Sequence, residues 1–202
     1  MKVLILGDSH CRDMEHLADT KGTTDTVSIR VISVGSNTEA IMARYNEDLQ
    51  KVLDFGPEFI VFHTGNNELA FHSSKNPSPK DSTETTKVSL EAADILHSNH
   101  PQAVIVLSAT FPRILSRYSP FTFDELLQHN GTVKRHGNRL RSEAKKRHYH
   151  GFLNNLIWKD KKNLMVKTHY FMSDGLHLTN EAKKLVINDW IMRLKAIRDT
   201  PC

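Results

Sequence analysis

Residues 2–9 read Lys-Val-Leu-Ile-Leu-Gly-Asp-Ser. The short apolar run Lys2–Leu6 stops at glycine and two polar residues, which predicts a buried strand followed by a turn. The same sentence of chemistry is repeated downstream. Residues 26–34 are β-branched and stop at Gly35. Residues 58–64 (EFIVFHT) stop at Gly65, and residues 103–109 (AVIVLSA) form a fourth apolar run. Between the runs lie helical patterns. Residues 10–19 could hold a helix with Met14 and Leu17 inward. Ile41, Tyr45, Leu49, Val52 and Leu53 share a face that Gly56-Pro57 closes. Val88, Ala92, Ile95 and Leu96 share another. A long basic helix with an interruption is predicted over 123–148. A terminal helix is predicted over 179–197, with Ala182, Leu185, Val186, Trp190, Leu194 and Ile197 facing in. A fifth strand is expected at Phe152–Leu156 or at Leu164–Val166.

Strands alternating with helices predict βαβ units and an α/β fold with a parallel sheet covered on both faces. Apolar runs without strict alternation fit strands buried on both sides. No internal repeat or linker is visible, so residues 1–202 are expected to form one domain; the chain could also be a piece of a longer protein. Of the 202 residues, 39% are hydrophobic and 25% charged, which excludes wholesale disorder. No run reaches the roughly 18 apolar residues of a membrane span, and the N-terminus does not read as a signal peptide. Cys11 and Cys202 lie near opposite ends, which is no disulfide scaffold. A soluble intracellular, cytoplasmic domain is the expectation.

Ligand sites in open parallel sheets form at the carboxyl ends of the strands. Four polar groups fall there. Ser9 follows the first strand at the start of a helix. Gly35 follows the second and can turn a backbone N–H into the crevice. Gly65-Asn66-Asn67 follows the third and supplies amide donors for a developing oxyanion. Asp174 and His177 share one tight turn before the last helix. There the carboxylate reaches imidazole Nδ1 and leaves Nε2 free to take a proton from a serine. Each group taken singly has a plain alternative as a turn or a helix cap. Their coincidence points to nucleophilic catalysis.

Gly7-Asp8-Ser9, Gly35, Gly65-x-Asn67 and Asp174-x-x-His177 occur in the order of the motif blocks of the SGNH hydrolases, also called GDSL-type esterases, and the chain resembles that family from residue 7 to residue 177. The resemblance implies a three-layer α/β/α fold with a five-stranded parallel sheet of flavodoxin-like order. It implies Ser9 as nucleophile, His177 as general base and then acid, and Asp174 as the residue orienting His177. The Ser9 and Gly35 N–H groups and the Asn67 side chain would form the oxyanion hole. Asp8 reads as a scaffold for its turn. The family usually has an aspartate where Glu68 stands, which puts the support of that loop in question. Neither a metal nor another cofactor is implied, and His148, His150, His63 and His72 make no recognisable ligand set. The reaction would be two-step hydrolysis of an acetyl, short acyl or lipid ester. Leu69, Phe71, Phe111, Ile114, Leu115, Tyr118 and Phe121 could line the acyl site or simply pack on the domain.

The formal charge of +4 is unevenly spread. Residues 1–133 carry 11 basic against 17 acidic side chains, and residues 134–202 carry 16 against 6. Lys134, Arg135, Arg139, Arg141, Lys145, Lys146 and Arg147 begin the basic segment 134–167, in which Tyr149, Phe152 and Trp158 are interleaved. Such a segment can bind nucleic acid or an anionic membrane, or be a solvated helix. Small esterase domains of this family also resemble those in the first open reading frame of some non-LTR retrotransposons, a context the basic half fits without being specific to it. The competing class is therefore a binding module for nucleic acid or anionic lipid on the same fold, with esterase activity secondary or lost. The retained Ser, Asp and His favour the enzyme.

Overall fold

The computed structural model describes residues 1–18, 26–69, 81–117 and 122–200. Phe71, His72, Tyr118, Phe121 and Cys202 lie outside the described residues. Five strands, β1 (Lys2–Gly7), β2 (Ser28–Ser33), β3 (Phe59–His63), β4 (Val104–Ser108) and β5 (His150–Phe152), form one parallel sheet in the order β2-β1-β3-β4-β5. That is the predicted flavodoxin-like order.

The helices are α1 (Met14–Leu17), α2 (Thr38–Glu47), α3 (Leu49–Phe55), α4 (Ser82–Asn99), α5 (Phe123–Lys146) and α6 (Asn180–Arg198). Period-two alternation along the strands sends side chains to two separate cores. Val3, Ile5, Phe59, Val61 and Val106 pack with Met14 of α1 and with Val186, Trp190 and Leu194 of α6. Leu4, Leu6, Ile60, Phe62, Ile105 and Leu107 pack with residues of α2 to α5. Burial on both faces explains why β1, β3 and β4 read as unbroken apolar runs.

Several sequence expectations need correction. The helix predicted to hold Leu49 and Leu53 on the Ile41 face breaks at Asp48, which ends α2 and begins α3. The break shifts the phase of the stripe, and Leu53 is exposed. Ile95 of α4 and Leu185 of α6 flank their buried stripes and are exposed. The basic helix α5 runs 24 residues without interruption, opened by a capping box between Thr122 and Glu125. The fifth strand starts at His150, so only Phe152 of the first predicted range belongs to it. Residues Met165–Val166 instead form β7, paired antiparallel with β6 (Trp158–Asp160) outside the main sheet.

The strands end in register. Gly7 pairs with Ser33 on one side and His63 on the other, His63 with Ser108, and Ser108 with Phe152. Every loop that leaves a carboxyl end therefore starts from one row. Edge strand β2 carries Arg30, which hydrogen-bonds the Lys51 carbonyl at 2.5 Å and stacks on Phe55.

Candidate active site

The turn after β1 is built tightly. A Cβ on Gly7 would lie 2.4 Å from Cys11 Sγ and 3.0 Å from the His63 carbonyl oxygen, so only glycine fits. Asp8 then caps the single 3-10 turn Ser9–Cys11 by accepting the His10 N–H at 3.0 Å. Its other oxygen accepts from Asn66 Nδ2 at 2.6 Å. Asp8 is buried and occupied on both oxygens, which is the scaffold role expected of it. Ser9 is left half-buried at the mouth of the turn.

The turn before α6 meets it. Ser9 Oγ lies 3.0 Å from His177 Nε2, and His177 Nδ1 lies 2.7 Å from Asp174 Oδ2. Asp174 Oδ1 accepts the Leu176 and His177 backbone N–H groups, each at 2.9 Å. Burial pushes the Asp174 carboxyl up, but the hydrogen bonds from the His177 ring and from the two backbone groups outweigh it and hold the pKa below the usual carboxylate value. The turn closes through Gly175 at φ +72, where a Cβ would lie 2.5 Å from the Ile114 carbonyl oxygen. Thr179 caps α6, accepting from Ala182 N at 3.3 Å.

The other predicted groups assemble along the crevice. Asn67 Nδ2 donates to the Ser36 carbonyl at 2.6 Å, which ties the loop after β3 to the one after β2. Gly35 is exposed, and a Cβ there would meet nothing within 4 Å among the described residues. Glu68, in place of the usual aspartate, points the other way. Its Oε1 accepts the Thr38 N–H at the start of α2 at 2.5 Å, while the Thr38 and Thr64 hydroxyls are 2.5 Å apart. A carboxylate at a helix N-terminus satisfies an orphan donor and suits the macrodipole.

A chain of buried polar groups under the site escaped the sequence reading. Asn66 Nδ2 lies 3.2 Å from His63 Nε2, and His63 Nδ1 lies 3.1 Å from Ser108 Oγ. Asn154 donates to Ser108 Oγ at 3.1 Å and accepts from Trp190 Nε1 at 3.0 Å. The amide can only donate to His63 Nε2, which assigns the proton to Nδ1. Burial lowers the His63 pKa, against the nearby Asp8 charge, so the ring is neutral. His10 lies with its ring 5.3 Å from Phe111 and 5.4 Å from His177, and burial pushes its pKa down to about 4.

The apolar supply expected at the crevice is largely spent elsewhere. Leu69 and Phe111 are buried, Ile114 packs against the α6-side core, and Leu115 is exposed. The basic residues do not join the Ser9 site. Arg139 bonds Thr83, Arg147 pairs with Asp94, Lys146 with Glu143 at 2.7 Å, and Arg135 bonds Thr132 at 2.8 Å. Arg141 and Lys145 lie exposed on α5, and Lys134 sits near Asp160. Of the interleaved aromatics, Phe152 and Trp158 are buried and Tyr149 donates its hydroxyl to Asp94 at 2.9 Å. The stacking surface expected there is therefore taken up by packing. Among the described residues, no helix is long and apolar enough to cross a membrane.

No protein-family model matches the chain, and neither does any curated protein. Solved structures do. A Bacteroides fragilis protein described as an acylhydrolase superposes with a TM-score of 0.71 at 16% identity, covering 98% of this chain and 87% of that one. A GDSL-like lipase from Bacteroides thetaiotaomicron gives 0.66 at 17% identity, covering 96% and 88%. The lipase/acylhydrolase from Enterococcus faecalis gives 0.64 at 17% identity, covering 96% and 95%. At these identities the likeness is one of fold: the chain is built as the GDSL-type acylhydrolases are.

Proposed function

We propose that the protein is a serine hydrolase of carboxylic esters. The observation that carries this reading is the continuous relay from Ser9 Oγ through His177 to Asp174, at 3.0 and 2.7 Å. The fold shared with lipases and acylhydrolases supports it.

His177 Nε2 takes the Ser9 proton as Oγ attacks the acyl carbon. Asp174 holds the ring in the tautomer with Nδ1 protonated and stabilises the imidazolium that forms. The backbone N–H groups of Ser9 and Gly35 and the side-chain amide of Asn67 take the charge that develops on the carbonyl oxygen. Asn67 Nδ2 also donates to the Ser36 carbonyl, which keeps the side chain aimed. His177 then gives its proton to the leaving alcohol. Water, activated by the same ring, attacks the acyl-enzyme, releases the acid and restores Ser9.

Turnover of p-nitrophenyl acetate by wild type, Ser9→Ala and His177→Ala tests the reading. Each substitution is expected to lower kcat by about 10³-fold or more. Equal rates in all three proteins would refute it.

A further inference from the structure

The loop after β4 carries a cation that the relay does not use. Arg113 is fixed by its backbone on both sides. Its N–H donates to Asn130 Oδ1 and its carbonyl accepts from Asn130 Nδ2, each at 2.9 Å, and Asn130 is itself buried on α5. The next residues staple this loop to the turn of the relay. Ile114 N donates to the Gly175 carbonyl at 3.0 Å, and Ser116 Oγ to the Asp174 carbonyl at 2.9 Å. On its other side Arg113 Nη2 reaches the Asn66 carbonyl at 3.4 Å. The loop of Arg113 is thus stapled to the turn of Asp174 and His177 while its guanidinium reaches the loop of Asn66 and Asn67, and Ser9 lies between those two segments.

A guanidinium so placed is normally there to satisfy carboxylates. Asp8 and Asp174 are close enough to act on it electrostatically. Neither one needs it. The Asp8 oxygens are taken by His10 N and Asn66, and those of Asp174 by two backbone N–H groups and the His177 ring. Among the described residues Arg113 makes no salt bridge, and its side chain donates only the long bond to Asn66. A guanidinium has five N–H donors in a planar fork shaped for a carboxylate or phosphate. Burial lowers its pKa, against the charges of Asp8 and Asp174. Its position is partly open, not sealed in the core.

We propose that Arg113 is a specificity determinant that takes an anionic group, a carboxylate or a phosphate, carried by the ester substrate beside the reacting carbonyl. The inference rests on the hydrolase reading above. The favoured substrates are then esters of acidic molecules, with the anion on either the acyl or the alcohol portion.

Two matched pairs of esters distinguish the portions. Mono-p-nitrophenyl adipate against p-nitrophenyl hexanoate places the charge on the acyl side. 4-Acetoxybenzoate against 4-acetoxybenzamide places it on the alcohol side. In at least one pair the wild type is expected to favour the anion by about tenfold or more in kcat/KM, the scale of one hydrogen bond to a charged group. Arg113→Gln should abolish that ratio and Arg113→Lys should restore part of it. No preference in either pair overturns the inference, and so does a loss in Arg113→Gln that is equal for charged and neutral esters. If no ester is turned over, the hydrolase reading has failed separately, and calorimetric titration with adipate decides the anion site. Binding by wild type that Arg113→Gln loses would sustain it, and equal or absent binding would overturn it.

Discussion

Glu68 Oε1 accepts the Thr38 backbone N–H at 2.5 Å, bridging the loop after β3 to the first turn of α2. The buried carboxylate thereby joins the segment holding Asn67 to the segment that begins at Gly35. Glu68→Asp shortens the side chain by one methylene and withdraws the acceptor from Thr38. Leaving a buried N–H unsatisfied costs about 1–3 kcal/mol. A lowered urea midpoint with unchanged m-value is the expected result. Because the same bridge spaces the proposed oxyanion donors, kcat for p-nitrophenyl acetate should fall as well. Unchanged stability would mean that Thr38 finds water instead.

Asn66 serves Asp8 and His63 together, at 2.6 and 3.2 Å. Asn66→Ala strips one oxygen of a buried carboxylate of its donor. About 2–3 kcal/mol of stability should be lost. The Ser9 turn would lose its support from β3, so kcat should drop more than KM rises. A variant with native stability and native kcat would contradict this account of Asp8.

Gly175 sits at φ +72 with the Ile114 carbonyl where a Cβ would go. Gly175→Ala meets both the backbone preference and the clash, at a cost of about 1–3 kcal/mol. The distortion falls on the turn carrying Asp174 and His177. Hydrolysis should fall well beyond what partial unfolding explains, which circular dichroism and kinetics on the same sample would separate.

Three buried histidines set an acid limit on the fold. Burial lowers the pKa of His10 to about 4, of His129 to about 3 and of His136 to about 4. The unfolded chain binds these protons near pH 6.5, before the folded protein does. Stability is therefore fully present above about pH 6.5 and is lost as pH falls toward 4. With three such groups the slope approaches about 4 kcal/mol per pH unit. Urea unfolding at pH 7, 6, 5 and 4.5 measures it, and a flat profile across that window would refute the neutral assignment.

The site was legible where its chemistry is local. Asp174 and His177 are three residues apart in one turn, Ser9 stands directly after a strand, and their order follows the motif blocks that the chain resembles. The polar chain beneath was not legible, because His63 and Ser108 read as ordinary strand ends and Trp190 as a core residue of an amphipathic helix. Only the register that aligns His63 with Ser108 makes them partners. Arg113 was hidden for a similar reason: its placement comes from Asn130, on a helix whose sequence speaks only of basic charge. Leu53 misled because an apolar stripe does not announce that its helix restarts at Asp48.

The two edges of the main sheet differ in what they offer a second molecule. β5 has three residues and β2 has six, so β2 is the longer row of backbone on which a foreign strand could extend the ladder. Arg30 stands in the middle of that row, anchored to Lys51 and Phe55. A charge held at this point makes edge-to-edge growth unfavourable. The arginine's charge acts at the border of the sheet, away from the chemistry proposed at Ser9.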